Sequence, residues 1–142
     1  MQDKEYYIHV DTKNHQDAKE FCINLGGNLF EPKSSQINNE VYDLAIAKGL
    51  IKVWIGIVDH NFEGNFVYES NDQTIDWTNW DSGEPNNLPT NEIFGEDCVH
   101  IGGDWMADPR TWNDDNCDLE LAFICEKPSN LFVQISPTKC FC

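Results

Sequence analysis

Basic residues are scarce in this chain: nine Lys plus Arg stand against 25 Asp plus Glu, a formal net charge of −16. Such an imbalance repels phosphate backbones and anionic lipid headgroups, so nucleic acid is not an expected partner. No apolar run approaches the roughly 20 residues needed to cross a bilayer, and membrane insertion is not expected either. The opening MQDKEYYIHV has neither the charged nor the apolar region of a signal peptide, as expected of a mature or recombinant form. No CxxC pair occurs, which argues against a zinc ribbon or a thioredoxin-like redox site, since both need two sulfurs on one turn. HExxH, GxSxG and phosphate-binding loops are missing as well. His9, His15, His60 and His100 are scattered without an obvious nucleophile partner and read as surface or packing residues. No catalytic residues are assigned, and the expectation is a protein that is not an enzyme.

Six cysteines in 142 residues, an even number, suit an oxidised, secreted protein. The length fits one domain, taken as residues 1–128, followed by an extension, 129–142, that carries Cys140 and Cys142. YYIHV (6–10) reads as a strand. After it, Ala18, Phe21, Cys22 and Leu25 follow the 0, 3, 4, 7 pattern of a buried helical face, with Asn14 as N-cap and Gly26 and Gly27 as the stop. A second helix is expected over 35–48, with Ile37, Val41, Leu44, Ala45 and Lys48 in one stripe and Gly49 ending it. KVWIGIV (52–58) reads as a buried strand, NFVYES as its hairpin partner, and DCVHI (97–101) and LAFICEK (121–127) as further strands. Between them Ser70 to Phe94 is a long loop of Asn, Asp, Thr, Gly and Pro, and loops of that length in small domains are usually functional or disordered.

GEPNN (83–87), GEDC (95–98) and TWNDDNC (111–117) crowd carboxylates and carboxamides into such polar stretches. Calcium takes about 6 to 8 oxygens from carboxylates, amide and backbone carbonyls and water. Glu84, Asn86, Glu96, Asn113 and Asp114 would make one coherent shell if folding brought the three clusters together. No EF-hand loop is present, so these ligands would come from separated segments.

The ordered set WIGI (54–57), EPN (84–86), GEDC (95–98), WND (112–114) and FICE (123–126), with Cys22, Cys98, Cys117 and Cys125, resembles the C-type lectin domain over about residues 5–127. The resemblance implies an α+β C-type lectin-like fold, two helices flanking two small antiparallel sheets with a long calcium-binding loop region. It implies bridges Cys22 to Cys125 and Cys98 to Cys117, and a cis peptide at Glu84–Pro85. It further implies a calcium-dependent lectin in which Glu84, Asn86, Glu96, Asn113 and Asp114 hold Ca2+ and contact sugar, Asp114 adding its backbone carbonyl. Two vicinal hydroxyls would each give a lone pair to the ion, donate to a carboxylate and accept from a carboxamide. EPN resembles the set favouring mannose, glucose, N-acetylglucosamine and fucose, so the partners are glycans, in innate recognition or agglutination.

Galactose-type sugars are the alternative where an aromatic ring beside the site reorients the pyranose, and Trp105 in the insert GGDWMADPRT is the candidate ring; packing is its other reading. A calcium-stapled protein-binding or ice-binding domain of the same fold is the second alternative, expected to lose some of the five ligands. Asp59, Glu63, Asn87, Glu96 and Asp97 fall where the family's auxiliary calcium site lies, with Asn87 standing where an Asp is usual, so a second ion is possible. Cys140 and Cys142, two apart, are poorly placed to bridge each other and read as interchain disulfide candidates in a homodimer. Paired sites would add avidity to weak single ones.

Overall fold

The computed structural model describes residues 3–86 and 97–129. In chain order the elements are β1 (Lys4–Lys13), α1 (His15–Asn24), β2 (Asn28–Leu29), α2 (Ser35–Ala47), β3 (Val53–Val58), β4 (Val67–Tyr68), β5 (Cys98–Ile101), β6 (Trp112–Asp115) and β7 (Leu121–Pro128). α1 starts where the Asn14 side chain accepts the Asp17 N–H at 2.8 Å, and α2 where Ser34 accepts that of Ile37 at 3.3 Å. Past α1 the chain runs so close to β7 that a Cβ on Gly27 would sit 1.9 Å from the Glu126 carbonyl oxygen, so only glycine fits there.

The strands form one sheet in the order β1-β7-β3-β5-β6, with β2 also pairing β7 and β4 pairing β3. Every pairing is antiparallel except β3 with β7, in register at Val53 with Ala122 and Trp54 with Phe123. That parallel seam joins what the sequence suggests as two separate sheets, while the α+β class and the two helices stand as expected. All six β3 residues are buried. Val53, Ile55 and Ile57 join the core with Val41, Tyr42 and Ala45 of α2, and Trp54 and Val58 join the core with Ala18 and Cys22 of α1. Burial on both faces explains why the strand is apolar almost throughout rather than alternating.

Two helical stripes differ from expectation. α2 buries Asn38, Val41, Tyr42 and Ala45, whereas Leu44 is half exposed. The helix is turned toward Tyr42 and Asn38 because both polar groups are bonded inside: the Tyr42 hydroxyl donates to the Ile51 carbonyl at 2.5 Å, and the Asn38 amide serves β6 and the segment before it. On α1 Ala18 and Cys22 are buried, while Phe21 sits at the margin against His9 and Phe123, with ring centroids 4.3 and 5.6 Å away. His15 and His100 are core residues, consistent with a packing role.

Disulfides Cys22–Cys125 and Cys98–Cys117 are both formed. The first joins α1 to β7 across 103 residues and by loop-closure entropy contributes about 4 to 5 kcal/mol; the second ties β5 to the chain just after β6.

Candidate functional site

Residues 79–86 lie along β6. The Trp112 N–H donates to the Asn79 carbonyl and the Asp81 N–H to the Trp112 carbonyl, both at 2.9 Å, and the Glu84 N–H donates to the Asp81 carbonyl at 3.0 Å. Glu84–Pro85 is cis. The Asn86 backbone N–H donates to Glu84 Oε1 at 3.1 Å and to Asp114 Oδ1 at 3.0 Å, and Asn86 Nδ2 donates to Glu84 Oε2 at 3.2 Å. Three of the five expected ligands, Glu84, Asn86 and Asp114, therefore meet from two segments. Asn113, next along β6, is buried with Nδ2 3.3 Å from His100 Nε2. Glu96 lies outside the described residues, as do Asn87, Cys140 and Cys142.

His100 is the neighbour that the sequence reading missed, because its place opposite Asn113 follows from the β5–β6 register. The same Nε2 lies 3.1 Å from Asp115 Oδ2. Burial alone would raise the Asp115 carboxyl, but the contact with His100 and the Asn116 N–H outweigh it and leave the group below its usual range. The Asp115 contact uses an N–H on Nε2 and the Asn113 amine uses a lone pair there, and one ring nitrogen meets one demand at a time.

A second group adjoins the first. Asp59, Glu63 and Asp97 each place a ligand oxygen within 4.8 Å of the others. Asp59 follows β3 and donates its N–H to the Asp97 carbonyl at 3.1 Å, while its Oδ2 accepts the Gly64 N–H at 2.9 Å. Asp59 Oδ1 and Asp97 Oδ1 are buried with no hydrogen-bond partner among the described residues. Burial, followed by the hydrogen bond and charge of Asp59 and those of Glu63, pushes the Asp97 carboxyl up, and burial raises Asp59 as well. Clustered acidic oxygens, two of them orphaned, suit a hard divalent cation, which would replace the missing hydrogen bonds. A cavity of about 270 Å³ bordered by Asp59, Glu63, Phe66, Pro85, Asn86 and Asp114 connects the two groups. A third cluster, His60 with Cys98 and Cys117, is no metal site, because both sulfurs are spent in a disulfide.

Trp105 is 51% exposed, edge-on to His100 with centroids 6.3 Å apart. Lys52 Nζ lies over its ring at 4.9 Å, and ring carbons occupy the space a Cβ on Gly103 would need. Among the described residues no helix is long and apolar enough to cross a membrane.

The strand order, the two bridges and the polar loops laid on β6 define a C-type lectin-like fold. Solved structures share it: a mouse scavenger receptor C-type lectin carbohydrate-recognition domain superposes with a TM-score of 0.79 at 29% identity, covering 90% of this chain and 92% of that one. The cow CD23 C-type carbohydrate-recognition domain superposes at 0.76 with 31% identity over 91% of each. The family model for the lectin C-type domain matches residues 11–127, and the chain belongs to that family. Collectin-10 of Gallus gallus is 35% identical over 124 residues, 87% of this chain; the chain spans 42% of that relative's length. The family is one of binding domains.

Proposed function

We propose that the chain is a calcium-dependent carbohydrate-binding domain whose ion is held by Glu84, Asn86, Glu96, Asn113 and Asp114, with Asp59, Glu63, Asn87, Glu96 and Asp97 around a second one. The observation that carries this reading is the Asn86 backbone N–H shared between Glu84 and Asp114, which makes oxygen donors from two distant segments neighbours. Bound there, calcium would supply positive charge for the lone pairs of two vicinal sugar hydroxyls. Glu84 and Glu96 would accept the hydroxyl protons, and the amides of Asn86 and Asn113 would donate to the remaining lone pairs. Asn86 Nδ2 donates to Glu84 Oε2 at 3.2 Å, so the acid and the amide that would serve one sugar hydroxyl already lie side by side.

The sugar class inferred from EPN is mannose, glucose, N-acetylglucosamine or fucose. The cow CD23 domain, solved in the presence of a GlcNAc2Man3 oligosaccharide, supports a mannose-containing ligand. Galactose-type sugars stacked on Trp105 are the second reading, favoured by the ring's exposure, although a pyranose on the face under Lys52 must displace that ammonium. Secretion, supported by the two bridges, and a disulfide-linked homodimer through Cys140 or Cys142 in the 129–142 extension complete the proposal.

Competitive inhibition by mannose, N-acetylglucosamine, galactose and N-acetylgalactosamine, each with calcium and with chelator, tests it. Mannose-type inhibition that vanishes with chelator is expected. Binding that no monosaccharide competes would contradict it and favour a protein or ice ligand.

A further inference from the structure

α2 carries no ligand, yet one of its side chains reaches the scaffold beneath them. Asn38 is fully buried. Its Oδ1 accepts the Trp112 indole N–H at 2.8 Å, and its Nδ2 donates to the Arg110 carbonyl at 2.9 Å and to Asn39 Oδ1 at 3.1 Å. An indole N–H only donates and a carbonyl only accepts, so these partners orient the amide unambiguously. The same Arg110 carbonyl takes a second bond from Asn79 Nδ2 at 2.8 Å. From that point two backbone paths leave. One is β6 itself, which carries Asn113 and Asp114. The other runs through the Asn79 and Asp81 bonds to Trp112 and on to the Glu84 N–H. Outside the core, Arg110 Nε and Nη2 reach Asp43 of α2 at 3.1 and 3.3 Å, and the Thr111 hydroxyl lies 3.3 Å from Asp81 Oδ1.

We infer that Asn38 is a positioning residue for the calcium and sugar site, holding Arg110 and Trp112 so that the EPN segment and β6 keep the spacing at which Glu84 and Asp114 share the Asn86 N–H. The inference rests on the proposed function only for its affinity readout; the geometric claim stands without a ligand. Leucine in place of Asn38 would fill similar volume but leave the Trp112 N–H and the Arg110 carbonyl unpaired in the interior. Aspartate would still accept from Trp112 but would set a carboxylate oxygen against the Arg110 carbonyl, keeping one contact and breaking the other.

The test compares Asn38→Leu, Asn38→Asp and Trp112→Phe with Val41→Ala in the full chain. Val41 shares the helix and the core but makes no hydrogen bond to the loops, so its substitution lowers stability without touching the network. Two quantities are read well below the melting midpoints: the calcium concentration at half-saturation, and, in metal-free protein, hydrogen exchange at the Asp81 and Glu84 amides. The Asn38 variants are expected to need roughly tenfold more calcium, as when partners behind metal ligands are removed, and to exchange faster at both amides. Val41→Ala is expected to match the parent in both. Asn38 variants that bind calcium and exchange as Val41→Ala does would overturn the inference. Should Asn38→Leu not fold, Asn38→Asp and Trp112→Phe carry the comparison. If the parent chain itself binds no calcium, the proposed function fails while the amide exchange still decides the role of Asn38.

Discussion

Asn113 and Glu69 show how single side chains expose the chemistry. Asn113→Asp preserves size and an oxygen for the ion but removes the amine that a sugar hydroxyl would accept from. Sugar affinity is expected to fall roughly tenfold or more, measured by glycan titration at saturating calcium. Glu69 has no place in the site. Its carboxylate is buried 3.8 Å from both His15 Nδ1 and Lys19 Nζ. Burial, only partly opposed by Lys19 and reinforced by Glu31 and Asp72, pushes it from 4.5 up to about 7. The folded state therefore prefers the protonated acid, and that stabilisation is present below pH 4.5 and lost as pH rises through about 7. Glu69→Gln, which keeps the uncharged form, is expected to raise stability at pH 8 by roughly 2 kcal/mol and to change it little at pH 4.5, read from denaturant curves at both pH values. No gain at pH 8 would contradict the burial argument. Sequence could not show this group, because VYES reads as an ordinary strand end until β3, β4 and α1 are packed together.

Elements follow local rules, and most were legible. N-capping by Asn14, the start of α2 at Ser35, the run through β3 and the partner strands at 98–101 and 121–128 all stand near their expected places because hydrogen bonds and periodicity within a few residues decide them. What was not legible is long-range. Whether Leu44 or Asn38 faces inward depends on Trp112 and Arg110, more than 60 positions away, and the parallel seam of β3 with β7 spans a comparable distance. The insert after β5 is another case. Gly102 has φ +96°, and a Cβ there would lie 1.8 Å from the Ile51 carbonyl and 2.3 Å from the Tyr42 hydroxyl, the pair that bonds α2 to the start of β3. Gly102→Ala is expected to cost about 3 kcal/mol through overpacking and a backbone region that alanine avoids, read as a drop in unfolding free energy. A loss below about 0.5 kcal/mol would show that the insert is not held against α2.

Across the whole molecule the charge of −16 acquires a location: part of it is gathered in two adjoining clusters above the β5–β6 end of a sheet held by two bridges. The motif order pointed to both clusters; their meeting depends on β6 placing Asp114 beside Asn86, a tertiary fact. Because burial and Asp59 hold the Asp97 carboxyl up to about 7, a calcium ion binding there as proposed would displace protons. Calcium titrations near pH 6.5 in buffers of different ionisation enthalpy are expected to show proton release that disappears by about pH 8.5; binding heats independent of buffer would contradict a raised carboxyl at Asp97. The most direct test of the central claim is calorimetric titration of mannose into the chain with calcium and with chelator. Heat of binding only with calcium, lost again in Glu84→Gln, is the predicted result, and equal binding under both conditions would contradict the account.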